Sequence, residues 1–442
     1  MSITSSQPLS NRYFLLILLL GAYILSFIDR NIMAILVEPI RAEFQISDFE
    51  YGLLNGLAFT FLYAILGVPI GWLADRKSRK NIIALGTSVW SVMTFLCGLA
   101  TGFYSLFLAR IGVGVGEAAL SPPAHSLLAD YFDKKALPSV MAIFTLGIPV
   151  GVGISYSLGG WIYGILLDNK ELLLNVFGGI KPWQATFMLV GLPGLLVAAC
   201  IFFMVEPKRQ GLLENKKTHS EISLSHLLDF LWKHKTVYAS IYCSIACLAI
   251  MGYGFMMWFV AHMSRVYHVE SHIIGKDFGL MYLVFGTLGT LFGALLSTFL
   301  TKRGYTDAGI RTVFIVAVLW LLPAIAAPLM PTLQWAFILS APCIFLLNAY
   351  FGVAIAALQL CTPNQMRAQA SAMLLLMGNI FGLAVGPAII GLLSDRVFEG
   401  EHSLAYALST VAAIFCPLAI MLVYRSLKPY QQLLAKADLG WG

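Results

Sequence analysis

The chain has 442 residues, 59% of them hydrophobic and 11% charged, with a mean hydropathy of +0.81. A soluble domain carries roughly 25% charged residues, so this chain cannot cover a water-facing surface of its size. A soluble enzyme, a nucleic-acid binder and a disordered protein are excluded, and the chain belongs in a bilayer. The net charge of +6 says less than the places where the basic residues sit. All seven cysteines fall in apolar stretches without metal-ligand spacing, so no disulfide framework, metal or cofactor is expected.

A spanning helix needs about 20 apolar residues. The first candidate runs from about 13 to 37, is interrupted by Asp29-Arg30, and reads as a retained helix, not a cleaved leader. The second fills 51–74. Residues 81–109 hold the third and the start of the fourth, which continues through Arg110 and Glu117. Runs at 136–167 and 182–205 supply the fifth and sixth, and 236–261 and 278–301 the seventh and eighth. Residues 312–366 hold two more, divided at Pro328-Leu329-Met330-Pro331, and 368–394 and 403–424 bring the total to twelve.

Loop charge orients them. With the N-terminus inside, 20 of the 28 Lys and Arg residues fall in inside segments and 6 in outside loops, a strong positive-inside bias that places both termini in the cytoplasm. Short tails and the lack of any Asn-x-Ser/Thr sequon suit a bacterial inner (plasma) membrane. The longest polar stretch separates helices 6 and 7. The expected organisation is therefore a six-helix bundle over 1–206, a linker over 207–235, and a second six-helix bundle over 236–442. Within the linker, 221–232 is amphipathic, which predicts a helix on the cytoplasmic surface. The halves echo each other: Gly71-Trp-Leu73 matches Gly293-Ala-Leu295, and Gly164 to Asp168 matches Gly391 to Asp395. These offsets of 222 and 227 lie near half the chain and favour an internal duplication.

Ionisable groups at membrane depth cost about 2.5–3.5 kcal/mol each on insertion scales, so each one demands a reason. Asp29 and Arg30 lie in helix 1. Arg110 and Glu117 lie seven residues apart on one face of helix 4, with Gly114 between them leaving room for a neighbouring helix. One reading is a permanent ion pair locking the two helices. The other is a proton and anion site: two acids beside Arg30 would leave a net charge of −1, so one of them, Asp29 or Glu117, should take up a proton readily and release Arg30 to an anionic substrate. Arg30 and Arg110 are the candidate substrate-binding cations. In the second half Tyr253, Asn348 and Asn379 are candidate substrate contacts, with interhelical bonding as the alternative for the asparagines. The aromatic and methionine run 253–259 either lines an apolar cavity or faces lipid and neighbouring helices. His125 is a weaker candidate for a proton relay, and His262 reads as interfacial.

Between helices 2 and 3 stands Gly71-Trp-Leu-Ala-Asp75-Arg76-Lys77-Ser78-Arg79-Lys80. This resembles the signature loop of the major facilitator superfamily, with Ser78 in place of the usual glycine. The resemblance implies the twelve-helix, two-bundle fold of that superfamily, an all-α membrane protein, and a cytoplasmic gate held by Asp75 with Arg76 and Arg79. Asp130, at the end of helix 4, is the expected partner of Arg76. The second-half copy has Ser297 at the aspartate position, so gating there should differ. Gly147, Pro149 and Gly151 in helix 5, and Gly386 and Pro387 in helix 11, mark flexing helices or ordinary small-residue packing.

Helix 1 (Ser26-Phe-Ile-Asp29-Arg30-Asn31), helix 4 (Ala109-Arg110 to Glu117-Ala118), helix 11 (Gly386 to Asp395), Trp183, Gly191 to Gly194, Glu206-Pro207-Lys208-Arg209 and Pro363 to Ser371 together resemble the Spinster branch of that superfamily. That resemblance covers nearly the whole chain and implies transport of lysophospholipid or sphingoid-phosphate substrates. The expected function is proton-coupled secondary transport of amphipathic, lipid-like anions by alternating access, by a monomer whose partners are the substrate, protons and membrane lipids. A transporter of another small organic solute or drug, and an uncoupled lipid uniporter, stay open. A lipid enzyme would need a nucleophile with a base or a metal cluster, and no such constellation is present in the sequence. A non-transporting receptor would leave the buried acids unexplained.

Overall fold

The computed structural model describes residues 9–74, 76–133, 136–176, 178–206, 224–363 and 366–438. Among these, twelve helices are long and apolar enough to cross a membrane: α1 (Arg12–Ala34), α2 (Asp48–Gly67), α3 (Arg79–Cys97), α4 (Phe103–Tyr131), α5 (Ser139–Asp168), α6 (Pro182–Phe203), α7 (Lys235–Tyr267), α8 (Ser271–Lys302), α9 (Ala308–Leu329), α10 (Leu333–Leu360), α11 (Gln369–Arg396) and α12 (Ser403–Lys436). Helices are what an apolar chain must form in lipid, because each backbone N–H and C=O then finds its partner inside its own segment. Several spans are longer than the apolar runs suggest. The α8 helix begins at Ser271 and accepts Lys276 and Asp277 in its first turns. The α12 helix continues past Arg425 and Lys428, because Tyr430 and Leu433 still bury against the bundle.

The chain divides into two compact units, Met1–Leu212 with Val269–Leu283, and Leu213–His268 with Val284–Gly442. The start of α8 thus groups with the first half, a division that loop charge does not reveal. In that unit Ser271 donates to the Ile35 carbonyl (3.0 Å), Ser157 donates to the Lys276 carbonyl (2.9 Å), and Tyr156 meets Phe278 edge-on.

Within the first unit α3 packs on α6 and α4, α1 on α5, and α2 on α4. Within the second, α9 packs on α12 and α10, and α7 on α11. The same pairings therefore recur six helices later, as an internal duplication requires. The α7–α12 contact is more extensive than its counterpart α1–α6. With α11 it encloses the run Gly254–Phe259, which is buried throughout. Met251 and Phe255 do line a small apolar void, with Trp320 and Ile390. His262, near the end of α7, is fully buried among its neighbours. The linker helix runs Leu224–Lys233; the residues of 221–232 before Leu224 lie outside the described ones.

The α1, α4 and α11 helices are among those that lose regular geometry beside candidate residues. The α-helix of α1 stops at Asn31 and tightens into a 3-10 turn over Ile32–Ala34. The α4 helix stops at Glu117 and restarts at Ser121, where Pro122 and Pro123 occupy first-turn positions that need no N–H donor. The α11 helix widens into a π-helix over Gly378–Val385, restarting at Gly386 with Pro387 in its first turn.

A candidate membrane-embedded charge site

The break in α1 frees carbonyl oxygens that have no intrahelical partner, and a buried carbonyl must find a donor elsewhere. Four oxygens around the break each accept a side-chain donor, that of Met33 in addition to the Leu36 N–H (3.0 Å). Ser155 of α5 donates to the Ile28 carbonyl (2.9 Å) and Tyr51 donates to the Met33 carbonyl (2.6 Å). Arg110 of α4 spans the two between, with Nη1 3.1 Å from the Asp29 carbonyl and Nη2 3.5 Å from that of Arg30. Arg110 is fully buried. It was expected as a substrate-binding cation, but its guanidinium is engaged by the backbone of α1.

Arg30 and Glu117 form a buried ion pair, with Arg30 Nη2 donating to Glu117 Oε2 at 2.6 Å. Three rings surround the Arg30 guanidinium: Phe59 at 4.5 Å, Phe27 at 4.8 Å and Tyr63 at 5.1 Å from its central carbon. Such faces attract a cation where water is excluded. Asp29 lies beside Thr94 of α3 and within electrostatic range of Glu117 and Arg110. Asp29 Oδ1 and Glu117 Oε1 are buried and have no hydrogen-bond partner among the described residues. Arg30 is the most accessible of the four charged side chains, at 9% against 2% or less for the others.

The geometry corrects the charge count. Arg110 stands close enough to act on both acids, so the cluster holds two acids and two arginines and is formally neutral. A net charge of −1 cannot drive proton uptake here. The chemistry must come from the two unsatisfied carboxylate oxygens and from the asymmetry between a locked arginine and an accessible one. Close approach makes the cluster possible: a Cβ at Gly114 would collide with the Phe59 carbonyl, so only glycine lets α4 and α2 meet there.

At the end of the first unit that loop charge places inside, Arg79 is a buried three-way tie. It pairs with Asp130 of α4, donates Nε to Glu206 Oε1 (3.1 Å) and donates Nη1 to Ser126 Oγ (2.9 Å). Its backbone N–H also donates to Glu206 Oε1 (2.9 Å), and Ser78 Oγ donates to Glu206 Oε2 (2.5 Å). Partial burial pushes the Glu206 carboxyl up, but the hydrogen bonds from Ser78 and Arg79 and the Arg79 charge outweigh it and hold Glu206 below the ordinary range. Asp130 is therefore the partner of Arg79 and not of Arg76. Arg76 lies outside the tie, its guanidinium donating to the Trp72 carbonyl (3.2 Å) and stacking 3.9 Å from the Trp72 ring. Asp75 lies outside the described residues.

The second-half candidates are less concentrated. Tyr253 of α7 packs its ring against Gly382, in the π-helical stretch of α11 that also carries Asn379. Asn348 donates to the Ile344 carbonyl of its own helix (2.9 Å). His125 is exposed and meets Phe144 edge-on at 5.3 Å. Gly151 packs against α1 at Phe27 and Ile24, and Gly147 meets Tyr23. Sequence reasoning missed Phe27, Phe59, Tyr63 and Thr94, which complete the charge site, and Ser126 and Glu206, which complete the tie. The aromatics at 59, 61 and 63 were visible, but only the fold shows which ones turn toward Arg30 and which toward lipid.

Comparison with known proteins agrees with this architecture. The chain is 26% identical over 400 residues to an MFS-type efflux pump of Mycolicibacterium smegmatis, covering 88% of this chain and 86% of that one. It is 24% identical over 428 residues to the sphingosine-1-phosphate transporter SPNS2 of Danio rerio, covering 90% and 80%. Its structure resembles the crystal structure of a bacterial homolog of the human lysosomal transporter Spinster, captured inward-facing and unoccupied, with a TM-score of 0.81 and 25% identity over 99% of this chain and 100% of that one. Residues 19–376 match the Major Facilitator Superfamily, and the chain belongs to that family as a Spinster-like, integral multi-pass membrane transporter.

Proposed function

We propose that the chain is a proton-coupled transporter of amphipathic, lipid-like anions. The carrying observation is the buried Arg30–Glu117 pair, closed at one end by Arg110 and ringed by Phe27, Phe59 and Tyr63. A proton arriving at Glu117 neutralises the partner of Arg30. Arg110 stays bound to the α1 backbone, so the released charge resides on Arg30, the accessible cation of the cluster. An anionic headgroup then pairs with Arg30, and the rings accept the adjoining alkyl chain. Deprotonation of Glu117 reverses the sequence and expels the anion. Because the Glu117 carboxylate and the substrate anion compete for one guanidinium, a proton that neutralises Glu117 favours substrate binding, and the reverse. A membrane potential of 100 mV supplies about 2.3 kcal/mol per proton, enough for roughly 50-fold accumulation.

The similarity to a sphingosine-1-phosphate transporter supports a lysolipid or sphingoid-phosphate substrate. Loop charge supports termini on the inside of a bacterial plasma membrane. Asp29, with its unsatisfied Oδ1, is the second proton-binding group, and the Arg79 tie together with Asp75 forms the inner gate. The similarity to an efflux pump favours a second reading, a small organic solute or drug as substrate. Uptake of labelled lysophospholipids and sphingoid phosphates into proteoliposomes separates the two. The proposal predicts saturable uptake that depends on a headgroup phosphate and falls in Arg30→Ala. Uptake of a neutral drug without competition by any of these lipids would favour the second reading.

A further inference from the structure

The linker helix Leu224–Lys233 has two apolar edges. Leu227 and Leu231 are buried, on the side that packs against the start of α7. Leu228 and Trp232, also one turn apart, stand 48% and 72% exposed. An indole left in water at that exposure is costly, whereas at a membrane surface its ring sits among headgroups. The height fits: α7 has 33 residues, about 50 Å at 1.5 Å per residue, against a hydrocarbon core of about 30 Å. The first turns of α7 and the helix before it therefore lie at headgroup level.

Three exposed lysines gather at the same corner: Lys233 ends the linker helix, Lys235 begins α7 and Lys436 ends α12. The Lys235 ammonium sits 4.8 Å over the Trp232 ring. None of the three has a carboxylate partner among the described residues. His234 lies between them, against Phe230. Its proton affinity is depressed by burial and then by the charges of Lys436 and Lys233, so the local potential is positive. The acid of the linker helix, Asp229, is exposed one turn before Lys233. The first unit repeats the motif at Trp72, 57% exposed beneath the Arg76 guanidinium.

We propose that this corner of the second unit is a binding site for an anionic phospholipid, with Lys233, Lys235 and Lys436 holding the headgroup phosphate and Leu228 and Trp232 entering the acyl region. The occupant is a bilayer lipid, because a free phosphate would use the lysines and leave the exposed indole without a role. The site shares no residue with the Arg30 cluster and does not depend on what is transported.

The test is native mass spectrometry of the purified full chain in micelles holding equal phosphatidylglycerol and phosphatidylcholine. The intact protein should retain phosphatidylglycerol in excess. Changing Lys233→Gln, Lys235→Gln and Lys436→Gln together should lower that excess on the order of tenfold or more, with an unchanged unfolding temperature. The pair Lys302→Gln and Arg303→Gln, basic residues elsewhere in the unit, should leave it intact. Should the triple variant fold poorly, Lys436→Gln alone, at an exposed helix end, should still lower the excess severalfold. Trp232→Ser should weaken retention of both lipids. Unchanged lipid selectivity in the lysine variants would overturn the proposal, as would a Trp232→Ser protein that retains both lipids normally.

Discussion

Arg110 donates to the backbone carbonyl of Asp29 at 3.1 Å, and this bond joins α4 to the point where α1 stops being a regular helix. A side chain from one helix thus takes the place of the missing intrahelical donors of another. The bond also separates the two arginines by role: Arg110 holds the shape of the site, and Arg30 meets the ligand.

Arg110→Met should therefore act on stability first. It leaves the Asp29 and Arg30 carbonyls without their side-chain donor and removes one of the two cations beside the acids, and losing one partner of a buried polar or charged group costs about 1–3 kcal/mol or more. The expected outcome is a fall of several degrees in the unfolding temperature of the detergent-solubilised protein. Arg110→Lys should recover only part of the loss, because one ammonium cannot span two carbonyls as a planar fork does. Full recovery by lysine would show that charge alone matters at this position.

Arg30→Lys should fold normally and discriminate poorly. Lysine keeps the charge beside Glu117 but loses the flat face that stacks among Phe27, Phe59 and Tyr63. Apparent affinity for anionic substrates should fall on the order of tenfold. Competition binding with a matched pair of phosphorylated and dephosphorylated lipids checks this: the phosphorylated member should lose more.

Gly114→Ala should disturb the site without altering any of its chemical groups. The added methyl meets the Phe59 carbonyl, so α4 must move away from α2. Overpacking of this kind costs about 1–3 kcal/mol, and the shift also carries Glu117 away from the rings around Arg30. Transport should drop more than stability does, measured as initial uptake rate against unfolding temperature on the same preparation.

Much of this was legible in the sequence, for a physical reason. Lipid permits few ways to satisfy a backbone, so the apolar runs yield the twelve spanning helices found among the described residues, and the cost of buried charge marks Asp29, Arg30, Arg110 and Glu117 as exceptional. Spacing could not show which basic residue of 76–80 turns inward. Arg76 and Arg79 are equivalent in composition, yet Arg79 opens α3 with its side chain under Asp130 and Glu206, while Arg76 lies over Trp72. The role of Arg110 was hidden for a related reason: its partners are carbonyl oxygens, which leave no trace in residue identity.

The tie at Arg79 has a pH signature. The Glu206 carboxyl is held below its ordinary range in the folded protein, so its contribution is complete above the unfolded value of about 4.3 and is lost as pH falls through the lower folded value. Unfolding temperature measured from pH 7 down to pH 3 should decline at the acid end in the unmodified protein. In Glu206→Gln the curve should start lower and its acid limb should be shallower. Parallel curves for the two proteins would remove Glu206 from the tie.

The central claim is that Glu117 carries the coupled proton. The direct measurement is substrate-dependent proton flux in proteoliposomes loaded with a pH dye under an inward proton gradient, with lysophospholipids and sphingoid phosphates added singly. The account predicts an added flux with at least one of these lipids in the unmodified protein, and its loss in Glu117→Gln at unchanged unfolding temperature. Undiminished substrate-dependent flux in Glu117→Gln would contradict it.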